Sequence, residues 1–392
     1  MTQILLLDGQ QRSALAVARS LGRRGIDVHV ADARTPCLAG VSRYARSTLR
    51  SPDPEHDPHR FVSWVYQTAS NRGFDSVFPV TDTSTMLLLS HADRPPGIKL
   101  ICAPAKCYAL LTDKASLLDL AGRVGVRIPE TSVAKGAEQI EACVLRARFP
   151  LVLKPARSRV LLGGQIIKTS VFVAESAHEA LRFARAQTWI EASPCLLQEY
   201  IAGHGAGVFS LYAAGRPIAW FAHRRIREKP PRGGVSVLSE SIPVDPALRT
   251  SATRILDAVG YQGAAMVEFR IDPNGVAYLM EINARLWGSL QLAVDCGVDF
   301  PWLMCQASNG QRLDTVERYL IGQRLRWFLG DLDNLLIELR GHGLSQNKGE
   351  RFRRVWQAFQ SCVDFGARNE VFRWSDPAPG LLELRQWVRD LA

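Results

Sequence analysis

The sequence predicts a mixed α/β and α+β protein: a parallel-sheet unit first, a region of strands and hairpins next, and helices last. Three observations predict it. Strand and helix patterns alternate over residues 1 to about 105, the signature of βαβ units. Apolar runs then flank the turn dipeptides Ala214-Gly215 and Asn274-Gly275, as antiparallel hairpins require. Beyond about residue 305 the periodicity is mostly helical. At 392 residues the chain exceeds one ordinary domain of ~150 residues, and it reads as three parts, 1–105, 106–305 and 306–392.

The elements follow in order. ILLLDG reads as a strand, SALAVARSLGRRG as a helix closed by Gly25, and IDVHVAD as a second strand. The helix FVSWVYQTASNRG and the strand DSVFPVTD complete a βαβαβ unit. Its first turn, DGQQRS, lacks G-x-G-x-x-G, so no dinucleotide site is expected there. Ligands still gather at the strand ends of such sheets, where Arg12, Ser13, Asp82 and Thr83 are candidates. Helix capping accounts for these four equally well. The helix TDKASLLDLAGRVG takes Thr112 or Asp113 as its N-cap. After IPETSVAKG come the strand PLVLKPA, a loop RSRVLLGG, and the strands of QIIKTSVFVAES. The helix AHEALRFARAQ, the strand CLLQEYI and a hairpin over 207–222 follow. A helix, DPALRTSATRILDAVG, leads into the second hairpin. REKPPRGG, residues 227–234, is a Pro/Arg-rich interruption, and Trp327, Trp356 and Trp387 are expected to pack in the C-terminal part.

Composition is that of a globular protein, 47% hydrophobic and 22% charged. The start, MTQILLLDGQQR, has no basic leader and reads as a strand, not a signal peptide. No apolar stretch nears the ~20 residues of a membrane span, so membrane insertion is not expected. Eight scattered cysteines without a C-x-x-C pair suggest reduced thiols and a cytoplasmic location. The net charge of +10 admits nucleic acid, anionic lipid or an anionic small molecule. No basic block or basic–aromatic alternation resembles a nucleic-acid module, so no nucleic-acid partner is expected. Residues 151–230 hold eleven Lys/Arg against five Asp/Glu, whereas the segment from 311 is nearly balanced at thirteen against eleven. The positive excess therefore lies in the middle of the chain.

The stretch VEFRIDPNGVAYLMEINAR, residues 267–285, carries the chemistry. A two-residue turn at Asn274-Gly275 places Arg270 opposite Leu279, Phe269 opposite Met280, and Glu268 opposite Glu281. Opposed side chains lie ~5 Å apart at Cβ, where like charges repel. Asn283, two residues beyond Glu281, shares its face. Two carboxylates and an amide oxygen suit magnesium, which keeps waters and holds phosphates. Alone, the pattern also fits a surface hairpin whose glutamates splay into water. Lys154, at the end of an apolar strand, can reach a phosphate, and Gly163 and Gly164 can bring backbone N–H groups to phosphate oxygens. Gln198, Glu199, Tyr200 and Ile201 close another strand and can offer main-chain groups to an adenine edge. His223, Arg224, Arg225 and Arg227 form a dense basic cluster for an anionic substrate, or a solvated face. Ser236, Ser239 and Glu240 are candidates for an acceptor pocket.

In this order (Asp113-Lys114, V-L-K-P, a glycine loop, Q-E-Y-I, V-E-F, M-E-I-N-A-R) the motifs resemble the ATP-grasp superfamily over about residues 114–295. HRRIREKPPRGGVSVLSES and MEINARLWGSLQLAVDCGVDFP resemble its bacterial carboxylate–amine ligase branch, of the D-aspartate ligase kind. The resemblance implies a two-lobed ATP-grasp fold over 106–305, with a central lid lobe at about 128–200 and the N-terminal unit as the preceding domain. It implies that Lys114 and Lys154 hold the α- and β-phosphates, that Arg157 to Gln165 form the lid, and that Glu199 and Ile201 read adenine. Glu268, Glu281 and Asn283 would ligate two magnesium ions, with manganese as an alternative. Arg285 would steady the transferred phosphoryl group and, with Lys154 and Arg225, make up the catalytic set. Arg224, Arg225, Arg227, Ser236, Ser239, Arg12 and Asp82 are the expected substrate contacts. One departure stands out: relatives carry an acidic residue for the ribose where this chain has Gly203-His204-Gly205-Ala206-Gly207. The lid is also poorer in glycine than in many relatives.

The activity implied is ATP-dependent, ADP-forming amide or peptide bond formation between a small-molecule carboxylate and an amine, through an acyl phosphate. The alternatives are carboxylation through carboxyphosphate and a non-catalytic nucleotide-binding sensor. The intact Lys154, Glu268, Glu281, Asn283 and Arg285 argue against the sensor. A homodimer is compatible with this reading.

Overall fold

The computed structural model describes residues 2–91, 94–230, 234–339 and 366–391, together with 349, 352, 353 and 356. In the first part, β1 (Gln3–Leu6), β2 (Asp27–Asp32), β3 (Ser47–Arg50), β4 (Ser76–Phe78) and β5 (Lys99–Leu100) pair in the order β3-β2-β1-β4-β5. Every pairing is parallel. Helices α1 (Arg12–Gly22), α2 (Pro58–Arg72) and α3 (Asp82–Ser90) connect these strands, so Ile4, Leu5 and Leu6 are covered on both faces. The predicted βαβαβ unit is present, and β3, α3 and β5 extend it.

The strand order reverses between β1 and β4, the place where such sheets hold ligands. Asp8 lies there at φ +60, and its carboxylate accepts from Val80 N, Thr81 N and Ser84 Oγ at 2.9, 2.9 and 2.6 Å. Burial pushes its pKa up in spite of these donors. The knot fixes the first turn of α3 and with it Asp82 and Thr83.

Two short helices follow, α4 (Ala105–Thr112) and α5 (Lys114–Arg123). Asp113 caps α5 by accepting from Ser116 N, whereas Thr112 ends α4. A small antiparallel sheet comes next, built from β6 (Thr131–Ala134), β7 (Leu151–Pro155), β10 (Phe172–Ala174) and β11 (Cys195–Glu199) in the order β10-β7-β11-β6. Helices α6 (Gly136–Val144) and α7 (Ala177–Arg185) cover the face carrying Leu151, Leu153 and Leu197. The other face carries Val152, Lys154, Leu196 and Gln198, since these are opposed pairs of alternate residues. RSRVLLGG, expected as a loop, instead forms β8 (Arg159–Leu162) and pairs with β9 (Gln165–Lys168). Gly163 and Gly164, at φ +58 and +82, make the tight turn between them.

The large sheet has the order β16-β15-β12-β13-β14-β17-β18. Its strands are β12 (His204–Ala213), β13 (Arg216–Lys229), β14 (Val235–Ile242), β15 (Gly263–Ile271), β16 (Ala277–Asn283), β17 (Arg324–Arg326) and β18 (Arg368–Asn369). Val208, Trp220, Val267 and Leu279 pack on α4, α5 and α8 (Pro246–Ala258). On the opposite face, Phe209, Phe221 and Met266 join the core of α1, α9 (Leu290–Asp295) and α10 (Phe300–Ser308). The rest of that face, with Glu268, Arg270, Gly205, Gly207 and Arg225, forms the wall of a cleft.

The C-terminal part carries the expected helices, α11 (Phe328–Leu339) and the helix Ala378–Leu391, and in addition β17 and β18, which add two strands to the large sheet. Trp327 donates to Glu383 and Trp387 to Asp333, both at 2.7 Å, and Trp356 is 50% exposed. REKPPRGG is not a loop throughout: Arg227 to Lys229 continue β13, and residues 231–233 lie outside the described set. Among the described residues, no helix is long and apolar enough to cross a membrane, and the cysteines are all free.

Candidate active site

The hairpin of β15 and β16 does bring Glu268 opposite Glu281, by a different route from the one predicted. The turn is not the two-residue type. Ile271 faces Ala277, Asp272 N donates to Val276 O, and only Gly275 takes a positive φ, +80. Asp272 Oδ1 accepts from Asn274 N and Val276 N, at 2.9 and 2.8 Å, and this side-chain turn holds the loop. The longer turn shifts the register, so Phe269 faces Leu279 and Arg270 faces Tyr278, not Met280 and Leu279. A bulge between Glu268 and Phe269 leaves Met280 unpaired and restores the register beyond it. Two departures cancel at the carboxylates.

Around the pair stand four cations from four segments. Arg225, on β13, reaches Glu268 at 2.9 Å, and Lys114, at the start of α5, reaches Glu281 at 3.3 Å. Lys154 lies buried on the cleft face of β7, and its charge acts on Glu281. Arg285, just past β16, donates to Asn283 Oδ1 at 3.0 Å and to Asp82 at 2.9 Å. Asn283 Nδ2 bridges Glu268 and Glu281, at 3.0 and 3.3 Å.

The electrostatics split the pair. Burial and the neighbouring Glu281 raise the Glu268 pKa, with Arg225 only partly offsetting them. Burial also pushes Glu281 up, but Lys114 and Lys154 outweigh it and hold its carboxyl below the usual range. Lys154 is lowered to about 8 by burial, with Lys114 adding to it and Glu281 opposing. Arg225 and Arg285 are raised despite burial, by Glu268 and Asp82 respectively. A divalent cation would relieve the repulsion between the glutamates, and the oxygen donors Glu268, Glu281 and Asn283 fit one.

The remaining predicted residues divide into two groups. Gln198 shares the cleft face with Lys154; its Nε2 donates to Thr131 at 2.8 Å, and its buried Oε1 has no partner. Ile201 is buried and Tyr200 is 37% exposed beneath the Arg270 guanidinium, while Glu199 accepts from Glu130 N. Arg157 pairs with Asp113 at 3.1 Å, near Lys114. Arg225 alone of the basic cluster meets the carboxylates. Arg224 pairs with Glu240 and is 58% exposed, and Arg227 makes two bonds to Asp331 on α11, at 2.7 and 2.6 Å. Alternation along β13 turns Arg224 from the face of Arg225, and the irregularity between Arg225 and Arg227, which sets Arg227 opposite Leu238, does the same for Arg227. His223 is buried against Phe209, its Nε2 2.8 Å from Ser289 Oγ, and burial with Arg225 nearby lowers its pKa to about 3. Ser236 and Ser239 bond to each other at 2.7 Å. Arg12 is held by Glu370 and lies 4.0 Å over the Trp327 ring, and Ser13 is buried in α1.

Sequence reasoning missed three supports. Arg270 clamps the segment after β11 by donating to Ile201 O and Gly203 O, at 2.7 and 3.1 Å; its place two residues from Glu268, on the same face, was the available signal. Ser158 accepts from Lys114 at 3.2 Å. Arg159 ties the β8–β9 hairpin to the N-terminal part through Thr83 Oγ1, at 3.0 Å, while Ile166 N donates to Glu55 O at 2.8 Å. No local pattern marks such long-range contacts.

Comparison with known proteins bears on this arrangement. Residues 191–328 match the family described as ATP-grasp in the biosynthetic pathway with Ter operon. The chain is 27% identical over 261 residues to the large chain of carbamoyl phosphate synthase from Rubrobacter xylanophilus, covering 62% of this chain but only 23% of that protein. Among solved structures, a biotin carboxylase complex with β,γ-ATP from Campylobacter jejuni matches with a TM-score of 0.65 at 19% identity, covering 82% of this chain and 74% of the other. An L-amino acid ligase from Bacillus licheniformis matches with a TM-score of 0.58 at 18% identity, covering 79% and 74%. Residues 191–328 thus match an ATP-grasp family, and the fold shared with these enzymes extends over most of the chain.

Proposed function

We propose that the chain is an ATP-dependent, ADP-forming ligase that activates a carboxylate as an acyl phosphate and joins it to an amine. The observation that carries this reading is the facing pair Glu268 and Glu281, with Asn283 between them and Lys114, Lys154, Arg225 and Arg285 around them. Phosphoryl transfer asks the protein mainly for positioning and charge neutralisation, and this set can supply both. Glu268, Glu281 and Asn283 would hold magnesium, which neutralises charge on the triphosphate when bound. Lys114 and Lys154 would meet phosphate oxygens. The unpartnered Oε1 of Gln198, on the same face as Lys154, fits the exocyclic amine of adenine.

Arg285 would bind the carboxylate oxygen that attacks the γ-phosphorus, and then the oxyanion formed when the amine adds. Screening amino acids and other amines, singly and in pairs, for ADP and phosphate release tests the reading. ADP release that needs both a carboxylate and an amine is the expected result. A second reading, carboxylation through carboxyphosphate, is supported by the likeness to biotin carboxylase. Release that needs bicarbonate and no amine would favour it and overturn the ligase reading.

A further inference from the structure

A cavity of about 280 Å³ lies beside the carboxylate hairpin, between β16, α3, α4 and the start of the β8–β9 hairpin. Its two walls differ in chemistry. Met86 and Leu89 of α3 and Tyr108 of α4 make an apolar wall, and Ala109 of α4 is too small to fill the space in front of it. Facing them are Asp82, Lys114 and Arg159, beside Glu281 and Asn283. The cavity therefore asks for a molecule with an apolar body and a charged end.

The polar end narrows the choice. Asp82 Oδ2 accepts from Arg285 Nε at 2.9 Å, while among the described residues Oδ1 meets the Tyr108 hydroxyl at 3.5 Å, too long for a strong bond. One oxygen of this cavity-lining carboxylate is thus available to a donor on a ligand, next to cations that suit a carboxylate. A nucleotide base would not need this pairing of an acid with two cations. The adenine-like acceptor Gln198 and the clamped segment at Ile201 lie on the other side of Lys154 along β7 and β11.

We propose that this cavity is the side-chain pocket for the carboxylate substrate, and that this substrate is an α-amino acid with an apolar side chain. Its side chain enters between Met86, Leu89 and Tyr108. Its ammonium pairs with Asp82, and its carboxylate lies between Arg159 and the Arg285 guanidinium that Asp82 holds, beside the metal and phosphate groups. The inference rests on the ligase reading for its chemistry, but binding tests it independently of turnover.

Calorimetry with magnesium–ADP present would compare leucine, methionine and phenylalanine with aspartate, lysine and glycine. The apolar amino acids should bind at least tenfold more tightly than the polar ones. 3-Phenylpropionate, which lacks the ammonium, should lose at least tenfold relative to phenylalanine. Ala109→Phe, on the helix surface, and Met86→Trp both fill the cavity. Each should weaken phenylalanine binding tenfold or more while leaving magnesium–ADP binding unchanged, which also shows that the variant is folded. Should Met86→Trp fail to fold, Ala109→Phe decides. Apolar amino acids that fail to bind, or that bind equally well to Ala109→Phe, overturn the pocket. Binding that follows this pattern without ADP release for any amine leaves the pocket standing and defeats the ligase reading instead.

Discussion

Raising the pH should weaken nucleotide binding through one residue, Lys154. Its side chain is 4% exposed on the cleft face of β7, where burial, with Lys114 nearby, lowers its pKa from 10.5 to about 8. If the ammonium holds a phosphate, only the protonated enzyme binds well, and the apparent Kd is the intrinsic one divided by the charged fraction. That fraction falls from about nine-tenths at pH 7 to about half at pH 8 and a tenth at pH 9. The Kd for magnesium–ATP should therefore rise about twofold at pH 8 and about tenfold at pH 9. The sign can be checked separately. The empty site favours the neutral amine and the triphosphate favours the ammonium, so binding near pH 8.5 should take up a proton. Calorimetry with a non-hydrolysable ATP analogue, in two buffers of different ionisation heat, reads both quantities. Lys154→Arg, charged throughout this range, should flatten the pH dependence, and Lys154→Met should bind weakly at every pH. A wild-type Kd that stays level from pH 7 to pH 9 without proton uptake refutes the assignment.

Other predictions concern the same cleft. Glu281→Gln should keep the fold but abolish ADP formation; magnesium-dependent turnover at the wild-type rate would remove Glu281 from the metal set. Arg285→Ala should hold ATP affinity within a few-fold and lose on the order of a hundredfold in turnover, because its guanidinium would act on the reacting groups. With the wild type, oxygen-18 in the substrate carboxylate should appear in released phosphate; its appearance in AMP would mean adenylation. Acid should destabilise the protein through His223, whose pKa of about 3 lies below its ordinary 6.5. Its neutral form is the folded one, so stability is full above pH 6.5 and falls by up to about 1.4 kcal/mol per pH unit as the pH drops towards 3. Thermal midpoints at pH 7 and pH 5 should converge in His223→Phe, which keeps the stacking on Phe209 and cannot be protonated; an unchanged difference would clear His223 of this role.

Much of the fold was legible because its signals are local. The buried strand β1, the Gly73 stop of α2 and the Asp113 cap of α5 each follow from a few adjacent residues. The pairing of Glu268 with Glu281 was legible for a weaker reason. The Asn-Gly dipeptide suggested a two-residue turn, Asp272 imposed a longer one, and a bulge removed the difference. Nothing in the spacing of 267–285 announces a bulge. The strands β17 and β18 were missed because they are three and two residues long and gain their stability from the sheet edge they extend. The basic cluster was read as a unit, yet strand alternation at Arg224, an irregularity of β13 before Arg227, and the pull of Glu240 and Asp331 leave Arg225 alone at the carboxylates.

The pairing of charges in the cleft gives the N-terminal part a role that its sequence lacked. Asp8 fixes the first turn of α3, that turn presents Asp82, and Asp82 holds Arg285 next to Asn283. Glu268 is matched in the same way by Arg225, and Glu281 by Lys114. Arg285, Glu268 and Glu281 thus each meet an opposite charge from another segment of the chain, which avoids burying them alone. On the proposed reading, binding is an exchange of partners. Magnesium takes the glutamates, and the lysines and arginines they release turn to the phosphates. Such an exchange should bring the small sheet, the large sheet and the N-terminal part together only when metal and nucleotide are both present. Hydrogen exchange should then slow across β8, β9 and the first turn of α3 with magnesium–ATP, and not with either component alone. Protection by ATP without magnesium would show that the carboxylates do not control the exchange.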